Sequence, residues 1–173
     1  HFEFVGFWDW FTVWHGILSL LALPTLLLIT LARQARTLPP GLTLVGKRLF
    51  DPEKEEGTSL GGAGFRNWLC HLSFNETLHP EIVEYSLEVD GLPAAWEGLR
   101  ILHISDLHFH GSPERDWYRA VLEQCSEPPP DLVVCSGDFV DGEEFHHWVS
   151  GTIGRLKWQE NALAVLGNHD TWY

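Results

Sequence analysis

The 173-residue sequence contains no methionine, so His1 is expected to be a processed end or a cut and not an initiator. Cysteine is sparse as well. Cys70, Cys125 and Cys135 include no Cys-x-x-Cys pair, which argues against a disulfide framework and against a cysteine-based zinc finger. Basic residues are few, with 11 Lys and Arg against 24 Asp and Glu and a net charge of -13. A surface that grips nucleic acid through its phosphates needs the opposite sign, so no nucleic-acid binding is expected. There is no internal repeat of solenoid type. Apolar residues, by contrast, make up 45% of the chain, enough to build a core and to exclude wholesale disorder.

The charge is unevenly distributed. Before residue 51, Arg33, Arg36, Lys47 and Arg48 outnumber Glu3 and Asp9; every other acidic residue lies beyond. Two regions in two different solvents explain that split. Between Asp9 and Arg33 no Asp, Glu, Lys or Arg occurs, and about 20 apolar residues suffice to cross a hydrocarbon core of about 30 Å. Trp8, Trp10 and Trp14 stand where an interfacial aromatic belt would. Pro24 would break a soluble helix but is tolerated in a membrane one. A transmembrane helix over about residues 10–32 is therefore expected, within an anchor at 1–36, although a buried core helix or a signal sequence could share the pattern. Basic residues follow the span and none precedes it, which by the positive-inside rule places the residues after it in the cytoplasm.

Residues 37–79 read as a linker or juxtamembrane segment. Pro39-Pro40-Gly41 stops a helix, and Gly61-Gly62-Ala63-Gly64 is too glycine-rich for regular structure. Trp68, Leu69 and Leu72 could form a short amphipathic helix or simply cover a core.

From residue 80 the pattern is regular. A strand is expected around 82–89 and apolar strands at 99–105, 131–135 and 161–166. Helices are expected at 114–124, capped by Ser112 with Pro113 leading it, and at 143–158. Alternating strands and helices predict parallel strands joined by right-handed crossovers. Each of the last three strands runs into a polar cluster: Asp106-Leu107-His108, then Gly137-Asp138-Phe139-Val140-Asp141, then Gly167-Asn168-His169-Asp170. The clusters lie about one strand-helix unit apart, and the carboxyl ends of parallel strands share one edge, where ligands bind. Crowded carboxylates repel unless a cation neutralises them. Mixed Asp, His and Asn donors suit divalent Mn, Fe, Zn or Mg. Each cluster alone would be a turn or a helix cap; three at three strand ends point to a metal site.

The succession Asp-x-His, Gly-Asp-x-x-Asp, Gly-Asn-His-Asp resembles the calcineurin-like metallophosphoesterase superfamily, and the run Leu99–His108 is similar to its membrane-associated bacterial branch. The resemblance covers 80–173. It implies an α/β fold, the N-terminal half of a calcineurin-like phosphoesterase β-sandwich flanked by helices and preceded by the transmembrane helix. It implies two divalent metal ions: Asp106 and His108 on the first, Asp138 bridging both, Asn168 on the second. It makes His169 the catalytic acid or charge stabiliser and Asp170 the residue that orients its ring, while Asp141 supports the loop. The implied activity is hydrolysis of a phosphoester, with a phosphorylated small molecule or a lipid-linked compound as substrate, by a membrane protein whose catalytic domain is cytoplasmic. The family completes its metal shell with later Gly-His and Gly-His-x-His motifs, which do not occur before Tyr173. The chain is accordingly expected to be an incomplete part of its parent, inactive by itself. A membrane-tethered, catalytically inactive binding module with the same fold is the alternative, and a plain α/β domain with capped strand ends is another.

Overall fold

The computed structural model describes residues 6–34 and 37–171. Arg36 and Tyr173 lie outside them, as does the side chain of Trp8. Two compact units divide the chain, 1–42 and 43–173.

The first unit is dominated by one helix, α1, Phe7–Gln34. Its stretch Trp10–Arg33 has a mean hydropathy of 2.0 and is not buried, so it is long and apolar enough to cross a membrane. Thr25 and Thr30 turn their hydroxyls back to the carbonyls of Leu21 and Leu26, at 2.7 and 2.8 Å. Those bonds satisfy polar groups that lipid could not.

The second unit begins within β1, Leu42–Leu49, which forms a two-stranded sheet with β2, Glu81–Leu87. Between them lie two short helices, α2, Pro52–Glu56, and α3, Gly64–Cys70. The segment expected to be a linker is thus folded. Phe50, Pro52, Leu60, Cys70 and Leu78 are buried. Asp51 caps α2 by accepting from the Lys54 amide at 3.1 Å, and Gly64, in the run expected to resist regular structure, opens α3. Isolated apolar residues without a period give a sequence reading little to hold; they are buried by distant partners.

The rest is the expected alternation. Strands β3, Ile101–Ile104, β4, Leu132–Cys135, and β5, Asn161–Ala164, form a parallel sheet in the order β3-β4-β5. Helix α4, Arg115–Cys125, joins β3 to β4, and α5, His146–Gly151, lies between β4 and β5. Two details differ from expectation. Ser112 does not cap α4; it is buried and donates to the Gly61 carbonyl at 2.7 Å, while Glu114 takes the N-cap position. The single helix expected over 143–158 is broken: a 3₁₀ turn at Glu143–Phe145, then α5, then another at Ile153–Arg155. Gly151 and Gly154 weaken the helix, and the buried Thr152 leaves helical geometry while its hydroxyl bonds the Trp148 carbonyl at 2.7 Å.

The core gathers on one face of the parallel sheet. Ile104, Val133 and Cys135 from the strands meet Tyr118 and Leu122 of α4 around Phe109, which is fully buried. Tyr118 and Trp148 pack on the Phe109 ring at centroid distances of 4.8 and 5.7 Å. Cys70, Cys125 and Cys135 are free thiols. Burial pushes Cys125 and Cys135 up, away from the thiolate form that reacts.

A helix that spans a bilayer resists extraction at alkaline pH. Protein with residues 1–36 intact should remain in the membrane pellet after carbonate treatment, and protein lacking them should not; recovery of the intact form in the supernatant would remove the anchor.

Candidate metal centre

The first two polar clusters meet because the parallel pairing of β3 with β4 continues past the strands. The Asp106 amide donates to the Gly137 carbonyl at 3.1 Å, His108 to Asp138 at 3.0 Å and Phe109 to Phe139 at 2.8 Å; Asp141 then donates back to Phe109 at 3.1 Å. Phe109, anchored in the core, pins this extension. The pairing holds three non-glycine residues in the left-handed region, Asp106 at φ 54°, His108 at 44° and Asp138 at 55°. Such a conformation costs roughly 1–2 kcal/mol per residue and is kept where surroundings enforce it.

The third cluster is fastened to the second by Asp170. Its carboxylate accepts from the amides of Gly167, Asp138, Phe139 and Val140 at 2.8, 2.8, 2.7 and 3.2 Å. Desolvation opposes ionisation there, but the four backbone donors outweigh it and hold the carboxyl below its ordinary value. Gly137 and Gly167 permit the approach: at φ 95°, Gly137 lies so close that a Cβ would meet the Gly167 backbone, and a Cβ on Gly167 would meet Asp138.

Asp106, His108 and Asp138 converge, with one donor atom from each within 4.8 Å of the others. Asp141 stands beside them and accepts from two rings on one oxygen: His108 Nδ1 lies 2.7 Å and His169 Nδ1 2.9 Å from Oδ1. The rings meet edge to face at 4.7 Å. Desolvation raises the Asp141 carboxyl, but the bonds from His108 and His169 prevail and hold it below its usual range. His108 is raised, first by its bond to Asp141 and against desolvation. An ionised Asp141 can only accept, so each ring presents Nδ1–H to it. For neutral His108 that leaves the lone pair on Nε2, the atom 3.8 Å from Asp106 Oδ1. Two carboxylates and an imidazole of fixed tautomer make a donor set that fits a borderline divalent cation.

The assignment of Asp170 as the residue that orients His169 differs from what the structure holds: its oxygens are occupied by backbone donors, and Asp141 contacts the His169 ring. Asp138 Oδ1 also accepts from the His169 amide at 2.9 Å. Asn168 is exposed at the same edge, between Gly167 and His169. The Gly-Asp-x-x-Asp spacing was the signal for Asp141, but its partners lie 33 and 28 residues away, beyond local pattern.

The family model for calcineurin-like phosphoesterases matches residues 99–173. These residues are similar to that family. A transmembrane protein with a metallophosphoesterase domain from Danio rerio is 28% identical over 97 residues, 56% of this chain and 22% of its own length. An uncharacterized metallophosphoesterase of Bacillus subtilis is 27% identical over 116 residues, 65% of this chain and 38% of its own. A UDP-2,3-diacylglucosamine pyrophosphatase of Chlamydia trachomatis is 35% identical over 79 residues, 42% of this chain and 23% of its own. The chain thus spans well under half the length of these relatives. No solved structure matches it.

Asp170→Asn keeps the shape but removes the charge that four amides share. Because the folded carboxyl is depressed, its contribution is present above the unfolded value of about 3.9 and is lost as pH falls through the lower folded value. Urea unfolding should show the variant less stable by about 2 kcal/mol at pH 7, with the gap closing below about pH 4.

Proposed function

We propose that the protein hydrolyses a phosphoester, a monoester, diester or pyrophosphate, using two divalent metal ions gathered at the carboxyl edge of the parallel sheet. One observation carries the reading: Asp106, His108 and Asp138 bring their donor atoms within 4.8 Å of one another, beside a second histidine held by Asp141. Asp106, His108 and Asp138 would hold the first ion, and Asp138 and Asn168 the second, with Asp138 shared. Manganese, iron, zinc and magnesium all suit such oxygen and imidazole donors. When bound, such ions supply Lewis acidity, which provides a nucleophile at neutral pH and offsets phosphoryl charge.

The chain's own groups do the remaining work. Asp141 fixes the tautomers of His108 and His169, as carboxylates behind functional imidazoles commonly do. His169, oriented through Nδ1, delivers a proton from Nε2 to the departing oxygen. In balance, the oxygen of water forms the new bond to phosphorus and releases a proton that restores His169, the bond from phosphorus to the leaving oxygen breaks, and that oxygen takes the proton His169 delivered. Asp170 holds the third loop against the second, so that Asn168 and His169 stay at the site. The substrate is a phosphorylated small molecule or a lipid-linked compound; the chlamydial relative, named for hydrolysis of an acylated sugar nucleotide, supports the latter. With α1 as anchor, the basic residues that follow it support a catalytic domain on the cytoplasmic side.

Asp138 is the one residue assigned to both ions. In protein expressed from its complete reading frame, Asp138→Asn should lose most activity and most bound metal, measured by elemental analysis; full metal content with near-normal turnover would end the assignment. His169→Ala should keep its metal and lose about 10²–10⁴-fold in turnover. The loss should shrink for nitrophenol esters, whose leaving oxygen needs little protonation. An equal loss for good and poor leaving groups would show that His169 stabilises charge and is not the acid.

A further inference from the structure

Beside the metal-ligand cluster lies an open cavity of about 730 Å³. Asp106 and His108 line it together with Leu107, Trp117 and Tyr118, and part of its lining comes from outside the matched 99–173 segment: Arg66 and Leu69 of α3. We propose that α3 forms the substrate wall of this site. Arg66 takes a phosphate oxygen of the substrate, and Leu69 with Trp117 receives a bulky apolar substituent carried by the same phosphorus. The proposal rests on the phosphoesterase reading and narrows its substrate to amphiphilic phosphoesters.

Three observations support a built wall. First, the segment is fastened at several points to the loop that carries the first motif. Ser112 donates to the Gly61 carbonyl at 2.7 Å, the Glu114 amide donates to the Leu60 carbonyl at 2.8 Å, and Cys70 Sγ lies 3.6 Å from Ser112 Oγ. A Cβ on Gly62 would come within 2.8 Å of the Gly111 carbonyl oxygen, so backbone packs on backbone. Second, Arg66 is aimed along this loop: its Nη1 donates to the His110 carbonyl at 3.0 Å, two residues past His108. That bond uses one of five guanidinium donors, and the planar fork matches a phosphate. It places a cation beside the ligand cluster in a chain of net charge -13. Third, the rest of the wall is largely hydrocarbon and aromatic, the surface that an alkyl or aryl group would cover. Trp117 is held in place, its Nε1 donating to the Leu78 carbonyl at 3.3 Å.

The test compares 4-nitrophenyl octyl phosphate with 4-nitrophenyl methyl phosphate, which share a leaving group, on protein from the complete reading frame. The octyl ester should have the higher kcat/KM. Arg66→Ala should raise KM for both by about 10- to 100-fold with metal content unchanged, and Arg66→Lys should recover part of it. Leu69→Ser should lower the octyl-to-methyl ratio by about 10-fold. Arg66 is exposed, so the answer does not hang on whether Leu69→Ser folds. An unchanged KM in Arg66→Ala, or equal use of both esters by the wild type, overturns the proposal. If no form hydrolyses either ester, the diesterase form of the reading fails, and calorimetric binding of octylphosphonate decides the pocket separately. Binding lost in Arg66→Ala upholds it; no binding to the wild type overturns it.

Discussion

The site depends on one carboxylate that is given over to backbone amides. Asp170 gathers four backbone N–H groups from two loops, and with the bond from the His169 amide to Asp138 it folds the third loop back on the second. A neutral acceptor could not do the same. Charge-assisted bonds are about twice as strong as neutral ones, and this anion offers two oxygens to four donors in a half-buried place where water competes poorly. The left-handed residues Asp106, His108 and Asp138 are affordable because the loops are locked on both sides, by the extended pairing to β3 and by Asp170. Stability and function are therefore linked through backbone, and the side chains that face the site are left for chemistry.

Asp141 adds a second level of order. A single oxygen accepting from two rings makes the placement of His108 and His169 one fact, not two. A rotation of the Asp141 side chain would disturb the group assigned to hold metal and the group assigned to carry the proton together. The site thus behaves as a unit, and removing members singly should give effects that do not add.

Much of this was legible in the amino-acid sequence, for identifiable reasons. The strands β3, β4 and β5 are short apolar runs that end in polar clusters, so their type and approximate bounds follow from local pattern. So did the residues at their ends, because parallel strands must present their carboxyl termini at one edge. What escaped local pattern depended on contacts distant in sequence. Leu60 and Leu78 are solitary apolar residues in polar surroundings, and nothing nearby reveals that both are buried. Ser112 looked like a helix cap because Pro113 follows it, yet its hydroxyl is taken by Gly61, 51 residues earlier. The long helix expected after Gly142 fails at Thr152, where the side chain competes with the backbone for a carbonyl. The resemblance assigned Asp170 to the His169 ring; three of its four bonds run instead to residues about 30 positions away.

The contact between Gly137 and Gly167 bears on how such sites are recognised in other sequences. Acidic and histidine residues after strands are common, and any one can be a cap or a turn. Two glycines whose backbones must nearly touch are a sterner requirement, because neither tolerates even a methyl group. A sequence that carries every Asp, His and Asn of the three clusters but bears a side chain at either position could not close its loops in this manner. The pair of hydrogens in place of side chains is thus a more discriminating signature of the assembled centre than the charged residues that attract notice first.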